Sequence, residues 1–104
     1  VESFCEMVAR TSEVMGVKNI GIGSDLCLNQ PNEIVEWMRN GTWSKNKNYG
    51  EGSKNKPGFP KQPDWFQDSR GFLNLERGLK KVGFSEIETD GILGNNWYNF
   101  YKNI

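Results

Sequence analysis

Histidine is absent from the 104 residues, alanine occurs once (Ala9), and there are two cysteines. Without histidine the chain cannot assemble a Ser-His-Asp or Cys-His catalytic apparatus from its own residues. Every histidine-containing zinc site is excluded too, and two cysteines fall short of a four-cysteine one. There is no surplus charge of either sign, with 13 Lys+Arg against 13 Asp+Glu. A dedicated binder of nucleic acid or of an anionic membrane would carry a basic excess. No apolar run approaches the ~20 residues needed to span a bilayer, and no signal-peptide pattern opens the chain. Two cysteines make no disulfide framework and point to a reducing compartment. A first residue of Val1 rather than Met leads us to expect a cut or processed start.

Branched apolar residues are scarce. Leu, Ile, Val and Phe together make up 24 of 104 residues, little above the roughly 20% level typical of disordered chains. What the chain has instead is six Phe, four Trp and twelve asparagines, as many as its glycines. A chain of this length forms one domain at most and buries roughly two thirds of its unfolded surface. We therefore expect a single segment, 1–104, that is oligomeric when folded.

Residues 1–15 carry apolar side chains at Val1, Phe4, Cys5, Val8 and Met15, with Glu2, Glu6, Arg10 and Glu13 largely elsewhere. That spacing predicts an amphipathic helix, stopped by Gly16. Residues 17–24 (VKNIGIGS) read as the one clear β-strand, with Ile20 and Ile22 on one face and Gly21 and Gly23 leaving the other bare. A glycine face of this kind has something large packed close against it. Residues 1–30 thus form a helix-strand-loop unit.

Residues 31–41 read as a short helix, with Pro31 in its first turn and Gly41 beyond its end. Residues 42–69 form a long loop without periodicity. It holds Lys45, Lys47, Lys54, Lys56 and Lys61 together with Trp43, Tyr49, Phe59, Trp65 and Phe66. A structureless loop of this length is either functional or disordered, and disordered segments are poor in aromatics. Residues 70–104 supply the C-terminal helices. Asn74 is placed to cap a helix over 74–82, with Gly83 as its stop. Ser85-Glu86-Ile87-Glu88 matches a capping box opening a helix to about Leu93. Gly94-Asn95-Asn96 breaks or bends it before a last turn over 97–102. The fold class expected is mostly α with one clear strand.

One strand cannot satisfy its own backbone. Its partners must lie in the 42–69 loop, in another chain or in a portion of the protein outside this one. Chemically, the sharpest signal is Asp25, just past the end of the expected strand. That is where α/β barrels and open parallel sheets put catalytic groups, and Ser-Asp is also ordinary turn chemistry. Cys27 reads either as a soft metal ligand or nucleophile, or as a small buried residue. The lysines interleaved with aromatics fit either single-stranded nucleic-acid stacking or a solvated lid. Trp37, Trp43 and Trp65 fit a ligand pocket or packing against a larger body. Trp97, Phe100 and Tyr101 read as helix packing.

Three stretches in order, Gly21-Ile22-Gly23-Ser24-Asp25, Asn74-Leu75 with Gly83-Phe84-Ser85-Glu86, and Ile92-Leu93-Gly94-Asn95-Asn96-Trp97, resemble the C-terminal part of the membrane dipeptidase family of zinc peptidases. The likeness is collinear over about residues 1–101. It implies the closing portion of a (β/α)8 TIM-type barrel, incomplete by itself. It also implies two zinc ions and a metal-activated water that hydrolyses dipeptides in the complete enzyme. Asp25 takes the catalytic and substrate-binding position, beside the substrate amine, passing a proton to the leaving nitrogen. The family's zinc ligands come from earlier strands, so this chain is expected to hold no metal ligand and to be inactive alone. Where the family often has a second aspartate, this chain has Cys27. The expected partners are a second copy of the chain or the missing N-terminal barrel portion, with no nucleic acid and no membrane span. A small non-enzymatic homo-oligomeric interaction module is the alternative reading.

Overall fold

The computed structural model describes residues 1–34 and 61–104. Contacts divide the chain into one unit of Val1–Asp25 with Asp64–Ile104 and a second of Leu26–Pro63. Most of the expected 31–41 helix, the 42–60 part of the expected loop, Trp37 and Trp43 lie outside the described residues.

The first unit is helical. Helix α1 (Glu2–Met15) ends at Gly16, whose φ of 81° is open to glycine at little cost. It buries Cys5 and Val8. Met15, expected on the apolar face, stands half exposed. Helix α2 (Phe72–Lys81) buries Leu75, Gly78 and Leu79, and packs on α1. Gly78 is required there, because a Cβ would sit 2.6 Å from Cys5 Sγ. The helix starts two residues earlier than the Asn74 cap predicts. A 3-10 turn (Ser69–Gly71) precedes it, capped by Asp68, whose Oδ1 accepts the Arg70 N–H at 2.9 Å. Asn74 instead donates to the Trp65 carbonyl at 2.8 Å. Trp65 and Phe66, expected in the loop, belong to the packing. Trp65 lies 5.6 Å from Phe4 and Phe66 sits edge-on to Phe72 at 5.1 Å between ring centres.

Past Gly83 (φ 110°), helix α3 (Glu86–Asp90) opens on the full capping box. Glu88 returns the bond to Ser85 N–H at 2.9 Å, and this backbone hydrogen bond holds its carboxyl below the usual range. The chain does not break at Gly94. It passes through a π-helical turn (Gly91–Asn95) into helix α4 (Asn96–Lys102). Ile92 and Thr89 are fully buried.

The expected strand is not there: no residue among those described is in a β-strand. Val17–Asn19 winds as a 3-10 turn, closed by the Asn19 N–H on the Gly16 carbonyl. Ile20 is extended, but extended backbone becomes a strand only when a neighbouring strand pairs with it, and the described residues offer none. The fold class of mostly α with one strand is therefore corrected to helical, and the barrel expectation built on that strand loses its footing.

Gly78→Ala should lower stability by about 1–3 kcal/mol through overpacking against Cys5, and adding Cys5→Ala should recover much of the loss in urea unfolding. Side-chain and backbone bonds from Arg70 hold the Asp68 carboxyl down at about 2, against 3.8. Its contribution is thus complete above about 3.8 and lost as pH falls toward about 2. Asp68→Asn should remove that part of the acid sensitivity in pH-dependent unfolding.

Candidate functional site

The segment leading to Asp25 is held by two side chains and one backbone carbonyl rather than by a sheet. The Asn96 amide donates to two carbonyls, Val17 at 2.9 Å and Ile20 at 2.7 Å. Trp97 Nε1 donates to the Ile22 carbonyl at 3.3 Å. The Ile22 N–H donates to the Ile92 carbonyl at 3.2 Å. All these backbone groups come from residues 17–22, and all the partners from the π turn and the start of α4.

The π turn makes this reach possible. The Asn96 N–H bonds to the Gly91 carbonyl five residues back. One extra residue in a turn rotates the downstream helix by about 100° relative to a regular one. Gly91 leaves room for the Asn96 side chain, since a Cβ there would sit 2.9 Å from its Oδ1. Gly21 does the same for Trp97, with a Cβ position only 2.7 Å from the ring's Cδ1. The large group expected over the glycine face is Trp97.

Asp25 comes next, exposed and in the left-handed region at φ 46°. Aspartate tolerates this conformation better than most residues. Non-glycine residues held there mark turns and functional sites alike. Cys27 is exposed, contrary to the buried reading. Cys5 is buried, and burial pushes its thiol up, the opposite of what a nucleophilic thiolate requires. No group of three His, Cys, Asp or Glu side chains that would hold a metal exists among the described residues. No helix among them is long and apolar enough to cross a membrane.

Beside the clamped segment lies an open cleft of about 590 Å³, lined by Lys18, Asn96, Trp97, Asn99 and Phe100 among others. Trp97 is stacked on Tyr101 at 6.0 Å and edge-on to Phe100 at 6.5 Å. Asn96 is the residue that sequence reasoning missed, read there as part of a helix break. Its signal is the pairing of a Gly-rich turn ending Asn-Trp with a second glycine-spaced segment. No family model, no curated protein and no solved structure matches the chain.

Asn96→Asp keeps the shape but removes both donors, leaving two part-buried carbonyls facing a carboxylate. It should cost about 1–3 kcal/mol, read by urea unfolding, with a shift in tryptophan emission as Trp97 loses its seat.

Proposed function

We propose that this chain is the C-terminal segment of a zinc-dependent, membrane dipeptidase-like peptidase, with Asp25 as its catalytic and substrate-binding carboxylate. What supports this reading is the meeting of the stretches that carry the resemblance. Ser85-Glu86 opens the helix that bears Ile92 to Trp97. Ile92, Asn96 and Trp97 in turn grip the Ile20–Ile22 backbone just ahead of Asp25.

The residues present do not fit a pair of zinc ions. The chain has no histidine, and the described acids and thiols form no triad. In this reading the metal ligands come from residues outside the chain, and the chain by itself cleaves nothing. Its own contribution is a carboxylate at a fixed backbone position. Amide hydrolysis needs a proton delivered to the leaving nitrogen, and a positioned carboxyl group supplies roughly 10²–10⁴-fold in rate by such transfer. A non-enzymatic homo-oligomeric module is the second reading, favoured by the exposed Tyr98, Phe100 and Tyr101 of α4.

Expressed in frame with its upstream coding sequence, the protein should hydrolyse dipeptides. Asp25→Asn should cut turnover about 10²–10⁴-fold at unchanged zinc content. Full turnover in that variant would remove Asp25 from the chemistry. Absence of hydrolysis by the longer protein, or metal-supported hydrolysis by the isolated chain, would overturn the reading.

A further inference from the structure

The hydrogen bonds around Ile20–Gly23 have a period of two. The Ile20 carbonyl and both backbone groups of Ile22 face the Ile92–Trp97 region and are taken up there. In extended chain, successive residues turn their N–H and C=O to opposite sides. Gly21 and Gly23 therefore present theirs on the other side. Among the described residues, neither backbone N–H nor C=O of these two glycines makes a hydrogen bond. Gly23 is exposed, and a Cβ added to it would meet nothing within 4 Å. One side of the segment is taken up by these bonds, and the other carries the two donors and two acceptors of half-buried Gly21 and exposed Gly23.

We propose that this edge pairs with the same edge of a second copy of the chain, antiparallel and centred on Ile22. In that register Gly21 of each copy lies opposite Gly23 of the other, and each pair exchanges both of its bonds, four in all. The arrangement is self-complementary about a two-fold axis, as an isologous dimer requires. Neither glycine has a side chain to obstruct an approach of about 4.8 Å between backbones.

Charge selects the second copy and its direction. The segment is flanked by Lys18 on one side and Asp25 on the other, both exposed. Antiparallel pairing brings the Lys18 end of each copy to the Asp25 end of its partner. Parallel pairing would set lysine beside lysine and aspartate beside aspartate. The exposed aromatics of α4, whose Trp97 already covers Gly21, supply further apolar area beside the same segment. This inference does not depend on the hydrolase reading.

Sedimentation velocity of the chain at about 100 µM should show a dimer that dissociates on dilution. Amide exchange at Gly21 and Gly23 should slow as concentration rises, with the Ile22 amide unaffected. Gly23→Pro deletes one donor per copy and should raise the dimer Kd about tenfold or more with helical circular dichroism unchanged. Gly23→Ala, which keeps the N–H, should remain dimeric. Lys18→Glu should weaken the dimer and reverse its salt dependence, so that added salt strengthens it. A monomer at that concentration overturns the proposal. So does a Gly23→Pro dimer as tight as the native one. If Gly23→Pro fails to fold, the Lys18→Glu salt response decides, and an unchanged response overturns the proposal.

Discussion

The Asn96 amide holds two carbonyls that would otherwise be left to themselves, those of Val17 and Ile20. These contacts span 79 and 76 residues of sequence, and they join the N-terminal arm of the unit to its C-terminal helix. Each such bond is worth only about 1 kcal/mol net, yet an unsatisfied part-buried carbonyl costs at least as much. The amide therefore matters more for what it prevents than for what it adds. With Trp97 and the Ile92 carbonyl it takes the role that a neighbouring strand would have in a sheet. The grip extends to Ile22, three residues ahead of Asp25.

That grip depends on two places where no Cβ is present, and the packing of α1 on α2 on a third. Gly21 lets the Trp97 ring lie on the backbone, Gly91 lets Asn96 turn toward it, and Gly78 lets α1 and α2 close over Cys5. A chain poor in branched apolar residues has little core to make it rigid. It gains contact by close backbone approach and by ring packing instead. Among the described residues the buried set is small, led by Leu75, Leu79, Ile92 and Cys5, and it includes Thr89, whose hydroxyl has no partner among them. Such a hydroxyl costs roughly 1–3 kcal/mol, a sizeable fraction of the stability of a small domain.

Local rules were legible in the residues and long-range ones were not. Gly16 and Gly83 end helices with positive φ, and Ser85 with Glu88 forms its capping box. Each of these depends on neighbours within four positions. The strand over 17–24 fails for a different reason. Alternating Ile and Gly describes an extended backbone, but it does not say whether the backbone pairs with a strand or with side chains. Asn96 and Trp97 decide that, from more than seventy residues away. Asn74 fails similarly: the turn over Ser69–Gly71 starts the helix at Phe72, so Asn74 lies inside it and its amide donates instead to the Trp65 carbonyl. Asp25 is legible as a residue able to take the left-handed conformation. A catalytic role for it belongs to the proposed reading and is not legible in the described residues.

The π turn is where these two levels meet. A regular helix from Glu86 to Lys102 would carry Asn96 about 100° away from its present direction, toward none of the carbonyls it now serves. A sequence that merely favoured helix would have no reason for Gly91 and Gly94 in that stretch, because each costs about 1 kcal/mol against alanine. Gly91 offsets that cost through the Asn96 and Trp97 bonds, which exist only in the shifted register. A mid-helix irregularity that costs stability locally and recovers it at a distant segment is a positioning device, and the segment it positions is the one that ends at Asp25.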